Sequence, residues 1–369
     1  MGMEKAPMRI DLEPRLNRSL ALDLGAPIVA LAGAILIGGI VIWLLGKSPA
    51  LAFQVYFINP LLEGWSLQEL AVKACPLVLI AVGLSFCYRA NLWNIGAEGQ
   101  FILGGVLGGW LGILTHDEAY QGVIGGWWIL PTMLALGVIG GAIYALIPAL
   151  LRVWLGASEI LTSLMLVYVA ELGLDWLVRG PFKDPDGFNF PQSVVFDDIA
   201  RLPFLAEGER LHAGVLLALI VALIGAFVLA RTLFGFEVRL AGEAPRAARF
   251  AGFDDRKLTL MVFAISGGLA GLAGIVEVAG QIGQLTPKIS PGYGFTAIIV
   301  AFLGRLSPIG ILVAALVLAL TYIGGEAAQV ELSLNSDMTR AFQGVLLMCV
   351  LIADTATRYR VRLNFGAAR

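Results

Sequence analysis

Glu69, Lys73, Glu98, Glu159, Glu171, Asp175 and Glu277 fall within or beside runs that are otherwise apolar. A charge at bilayer depth costs about 2.5–3.5 kcal/mol on insertion scales, so each such residue needs a partner or a task. Glu69 and Lys73 are one helical turn apart, and the spacing predicts that they satisfy each other near the outer interface. Glu98 lies in Asn91–Gln100, NLWNIGAEGQ, where amides and glycines precede a span. The other carboxylates have no neighbour in sequence, and either line a polar path or close hydrogen bonds between helices.

Templates for catalysis are absent. Gly46-Lys47-Ser48 ends like a phosphate-binding loop, but the first glycine of that motif would stand where Val41 is, after a spanning helix rather than a strand. His116 and His212 have no second ligand at metal spacing. Cys75, Cys87 and Cys349 form no paired spacing and read as small buried hydrophobes. The chain is therefore expected to be no enzyme, with no cofactor and no metal of its own.

The elements that must position these groups are set by composition. Hydrophobic residues make up 58% of 369 and charged residues 14%, with mean hydropathy +0.84. Soluble domains carry about 25% charged residues, so most of this surface faces lipid. The net charge of -2 gives no argument for nucleic acid. The fold class is an all-α integral membrane bundle, and the whole of 1–369 is read as one transmembrane domain.

Apolar runs at about Ala26–Leu45, Leu67–Phe86, Gly99–Leu114, Trp127–Leu151, Ile160–Leu177, Ala213–Ala230 and Leu258–Gly280 are spanning elements. Lys5, Arg9, Arg15 and Arg18 place the polar segment 1–25 in the cytoplasm. The loop with Asp117 and Glu118 lies outside, Arg152 ends a span inside, and a connection over 178–211 lies outside. The run from Tyr293 to Tyr322 is interrupted at Gly304–Pro308. Read as one helix, it would put an acidic loop Gly324–Asp337 inside and Arg358, Arg360 and Arg362 outside. Two elements, a short one at Tyr293–Leu303 and a span from Ile309, restore the charge rule. A helix of that length is tolerated only where it packs inside protein. The count is then about ten elements, one short or broken, with both termini cytoplasmic. Gly104, Gly108 and Gly112, Gly105 with Gly109, Gly137 with Gly141, and Gly267 with Gly271 recur at the four-residue spacing that lets helix backbones touch.

The polar stretch 231–257 gathers Arg231, Arg239, Arg246, Arg249, Arg256 and Lys257, which marks a cytoplasmic loop. Within it Pro245 suits a first helical position and Gly252 a stop, with Ala247, Ala248 and Ala251 between them. A short cytosolic helix of this kind suggests a docking element.

Four segments carry a family resemblance: NLWNIGAEGQ at 91–100, GASEILTSLMLVYVA at 156–170, LAGEAPRAARFAGF at 240–253 and GYGFTAIIVAFLG at 292–304. Together they resemble the inner-membrane permeases of bacterial ABC importers, on the simple-sugar and nucleoside branch related to ribose and branched-chain amino acid permeases. The run around Glu98 is similar to the first permease of nucleoside systems, and the similarity extends from about Leu67 to Asp354. The resemblance implies that Gly242, Glu243, Pro245, Ala247, Ala248 and Gly252 couple to an ATPase subunit. Ala244 stands where a polar Asn is common, which leaves the start of the helix open by a residue. Asn94, Glu98, Gln100, Glu159, Thr162 and Ser163 match segments near the translocation path; they either meet solute or pin helix ends. The partners implied are an ABC ATPase that binds ATP, a second homologous permease, an extracytoplasmic solute-binding protein and the lipid bilayer. The solute expected is a nucleoside, with a pentose or hexose as the alternative. A proton-driven transporter acting alone through Glu98, Glu159 or Glu277 is the alternative of another class.

Overall fold

The computed structural model describes residues 9–14, 20–116, 126–205 and 210–364. The expectations for Lys5, Arg15, Arg18, Asp117 and Glu118 lie outside the described residues. Among those described, nine helices are long and apolar enough to cross a membrane. Two shorter apolar helices accompany them, Pro49–Leu62 and Tyr293–Leu303, and with the second of these the nine make the ten elements expected.

The order is β1 (Arg9–Pro14), α1 (Leu20–Leu44), α2 (Pro49–Phe53), a π-helical turn at Gln54–Ile58, α3 (Asn59–Leu62), α4 (Gly64–Arg89) and α5 (Ala97–His116). Then come α6 (Ile129–Leu155), α7 (Glu159–Arg179), α8 (Gly214–Arg231), α9 (Leu233–Glu243) and α10 (Pro245–Phe250). The chain ends with α11 (Asp255–Glu277) and its π-helical extension Val278–Ile282, α12 (Tyr293–Leu303), α13 (Pro308–Leu332), α14 (Ser336–Arg358) and β2 (Tyr359–Asn364). The pair α2–α3 lies between the first two apolar runs read from the sequence. In the fold Ser48 accepts from Leu51 N–H, and Pro49 and Pro60 take early helical positions where no donor is needed.

The described residues fall into two compact units. One comprises Val55–Ala327, and the other Met1–Gln54 with Ala328–Arg369. In the smaller unit α1 packs along α14, with Gly38 against the ring of Phe342. There β1 and β2 pair antiparallel in the register Arg9↔Asn364 to Pro14↔Tyr359.

The core of the larger unit is α11, packed on α4, α5 and α6. The glycine stripes account for this. A Cβ at Gly104 would overlap the backbone of Gly271, and one at Gly141 would overlap Gly267. Backbones in such contact gain dispersion and Cα–H contacts that lipid cannot replace. The core side chains follow: Leu77, Ile80, Phe101, Phe263 and Ile275 are fully enclosed.

The break after residue 303 is real. α12 is 11 residues long and ends in a turn before α13. The acidic loop expected at Gly324–Asp337 is not a loop, however, since α13 continues to Leu332. Gly324 does not break the helix; a Cβ there would overlap the backbone of Tyr56, so it is a packing glycine.

Candidate coupling and translocation sites

The polar stretch 231–257 folds into two helices and a stop. Thr232 caps α9 by accepting from Gly235 N–H at 3.1 Å. α10 begins at Pro245, with Ala244 as a cap residue that offers no side-chain bond. Gly242 and Glu243 therefore belong to the last turn of α9 rather than to the short helix. α10 ends in a Schellman arrangement. Phe253 N–H donates to Ala248 C=O at 3.1 Å, Gly252 N–H donates to Arg249 C=O at 3.0 Å, and Gly252 has φ +85°. Asp254 then caps α11 through Arg256 N–H and Lys257 N–H.

The residues of α10 expected to couple differ in exposure. Ala248 is fully buried, so it anchors the helix rather than offering a surface. Pro245, Ala247 and Gly252 are exposed, and Phe250 is 97% exposed at the tip. Sequence reasoning missed Phe250, although an aromatic ring in a charged loop was visible there. Beside α10 opens a cavity of about 260 Å³ lined in part by Asn91, Arg152, Pro245, Arg249 and Arg256. Arg249 pairs with Asp255 at 2.6 Å, and Arg152 pairs with Glu159.

The path candidates divide into two places. Asn94, Glu98, Gln100 and Ser163 come together; Glu159 and Thr162 stay at the start of α7. Asn94 and Gln100 exchange two amide bonds of 2.9 Å, and Asn94 also donates to Ser266 Oγ at 3.0 Å. Ser163 Oγ accepts from Ile95 N–H at 3.2 Å. Thr162 donates to Ser158 C=O on its own helix. Glu98, almost fully buried at the start of α5, accepts from Gly294 N–H at 2.6 Å. Ser290 lies beside it, and its hydroxyl accepts from Gly292 and Tyr293 N–H. The carboxylate thus sits at the N-terminus of α12, where orphan amides and the helix dipole favour a negative charge. In this arrangement these groups pin helix ends to one another.

A second polar cluster gathers around Glu69. Glu69 accepts from Gln281 at 3.0 Å and Arg210 at 3.4 Å. Lys73 lies 3.8 Å from Glu69, but its closer partner is Glu326 at 3.1 Å. The expected pairing within one helix is thus the weaker part of a network over several elements. Glu277 is buried near Lys73, Asp175 is held by Arg179, and His116 lies 3.5 Å from Asp197. Cys75 and Cys87 are buried thiols donating to Gly214 C=O and Val262 C=O. His212 is buried with Nδ1 accepting from Gly214 N–H, and burial lowers its pKa.

Sequence comparison gives this arrangement its family. The family model described as branched-chain amino acid transport system, permease component, matches residues 66–351. The chain is 35% identical over 368 residues to a glucose ABC transporter permease protein of Haloferax volcanii, covering 97% of this chain and 95% of that one. It is 28% identical to a nucleoside ABC transporter permease protein of Lactococcus lactis, over 81% of this chain and 82% of the relative. It is 26% identical to a guanosine ABC transporter permease protein of Bacillus subtilis, over 92% and 95%. No solved structure matches the chain. A multi-pass helical bundle with one broken element, matched over most of its length by that family, is a member of it: the chain belongs to the permease family of the branched-chain amino acid transport systems and is an ABC-transporter permease.

Proposed function

We propose that this permease imports a neutral, hydroxyl-rich solute across the cytoplasmic membrane, driven by ATP hydrolysed on a partner subunit. The observation that carries the reading is α10: a short helix with an almost fully exposed Phe250 beside an arginine-lined cavity. An aromatic ring left in water at a helix tip is the kind of anchor that fills a partner's pocket. The chain has no nucleotide-binding motif, so ATP binds to an ABC ATPase seated against α10 on the cytoplasmic side. Closure of that ATPase would move α9 and α10, and the bundle would switch between states that contact the solute differently. A second, homologous permease completes the path, as the paired nucleoside permeases of Lactococcus lactis and guanosine permeases of Bacillus subtilis suggest. An extracytoplasmic binding protein delivers solute to the side bearing the connection 180–213.

Glucose is supported by the relative at 35% identity and a nucleoside by those at 28% and 26%. Both solutes present vicinal hydroxyls. The test is reconstitution of the permease pair with its ATPase and binding protein in vesicles, with uptake of labelled glucose and guanosine measured. ATP-dependent uptake of one of them is expected. Uptake by this chain alone under a pH gradient would overturn the reading in favour of a proton-driven carrier. Two of the carboxylates such a carrier would use are already engaged: Glu98 with Gly294 and Glu159 with Arg152.

A further inference from the structure

Arg89 lies where three elements meet. It is the last residue of α4, and its Nε donates to Leu306 C=O at 2.9 Å in the turn between α12 and α13. Its own carbonyl is pressed against Gly242 in the last turn of α9, where any Cβ would overlap it. One residue therefore touches the cytoplasmic loop on one side and the foot of the broken helix on the other.

The turn it holds is strained. Arg305 and Leu306 have consecutive φ values of +54° and +55°, a left-handed conformation that neither side chain favours. Such backbone persists only where its surroundings over-determine it, and it clusters at switch regions. Here Arg305 N–H donates to Phe302 C=O at 2.9 Å, Leu306 N–H to Ala301 C=O at 2.7 Å, and Arg89 takes the outward carbonyl. Phe302, one turn earlier, stacks on Tyr88 at 5.2 Å and Trp93 at 5.9 Å. The foot of α12 is thus fastened to the end of α4 and the segment after it. At the other end of α12, Gly294 N–H is fastened to Glu98. A helix of 11 residues is about 16 Å long at 1.5 Å per residue, so a shift at its foot is a shift at Glu98 unless the helix bends.

We propose that Arg89 is a positioning residue that passes movement of α9 and α10 to α12, and so to the buried end of α12 at Glu98. The proposal rests on the reading of α10 as the ATPase contact. It names a physical joint, a rigid short helix between two fastened ends, rather than mere proximity in space.

The test uses the full transporter in vesicles, with Arg89→Ala and Arg89→Lys compared for ATP hydrolysis, uptake per ATP and thermal unfolding. A hydrogen bond to a charged group corresponds to about tenfold or more in an equilibrium. Uptake per ATP should therefore fall about tenfold in Arg89→Ala and less in Arg89→Lys, whose ammonium still donates. ATP hydrolysis should stay within about twofold of the unaltered transporter on the same scale. An unchanged uptake-to-ATP ratio in both variants overturns the proposal, including the case where both rates fall together with stability. If Arg89→Ala does not assemble, the ratio in Arg89→Lys decides by the same criterion. Absence of ATP-dependent uptake in the unaltered transporter would instead overturn the function on which the proposal rests.

Discussion

Phe250 and Ala248 are two residues apart in one short helix, and they have opposite tasks. Both are compatible with the same capping signals, and only packing separates the buried one from the exposed one. Burying a phenylalanine ring in a partner's groove stabilises by about 1.5–3 kcal/mol, and a carboxylate in its place is repelled by an apolar pocket. Phe250→Asp should therefore weaken ATPase association by about tenfold or more, with the amount of permease in the membrane unchanged. Titrated pull-down of the ATPase measures this, and association at the original strength would remove α10 as the contact. Ala248→Asp is a different experiment: it buries a carboxylate under α10 and would disturb the loop itself. Glu98 makes the same point in reverse. Its type and place leave solute contact and helix pinning both open, while Gly294 N–H shows it holding an amide of α12.

At the scale of elements, α11 decides how closely the bundle packs. Its Gly267 and Gly271 lie against the backbones of α6, and Gly271 also against Gly104 of α5. Gly271→Ala forces a methyl into backbone atoms rather than into a flexible side chain. Overpacking of this kind costs about 1–3 kcal/mol and often more. Gly173 on α7 has open space around its Cβ position, so Gly173→Ala should be neutral or stabilising by up to about 1 kcal/mol. Thermal unfolding in detergent should show a lower midpoint for the first and none for the second; equal midpoints would mean the helices separate to make room. The four-residue glycine spacing was legible in the sequence, but which stripe meets which was not. The same ambiguity made Gly324-Gly325 read as a loop when Gly324 packs on Tyr56 within α13.

The whole molecule is ordered by sides. The antiparallel register of β1 with β2 requires the segments before α1 and after α14 to lie on one side of the membrane. Nine spans with α12 counted as a tenth crossing give the same answer. Fluorescent or protease-sensitive tags at the two termini should therefore report the same face, and a cysteine at Arg249 should label from that face too. A label at Val195, in the connection after α7, should react from the opposite face. Tags on different faces would show that α12 does not complete a crossing.

The sequence by itself determined the class, the approximate spans and the start and stop residues Pro245 and Gly252 around α10. Each of these follows from nearest-neighbour chemistry: transfer of apolar runs into lipid, and Pro245 and Gly252 acting on their own turns. Tertiary structure decided everything that joins distant segments. Glu98 meets Gly294 across 196 residues and Arg89 meets Leu306 across 217. Lys73 turns from Glu69, on its own helix, toward Glu326. Periodicity specifies which residues share a face of one helix, but not which other helix covers that face. That choice is made by the close fit of glycine backbones in the core, and only then do Arg89, Glu98 and Phe250 acquire their different surroundings.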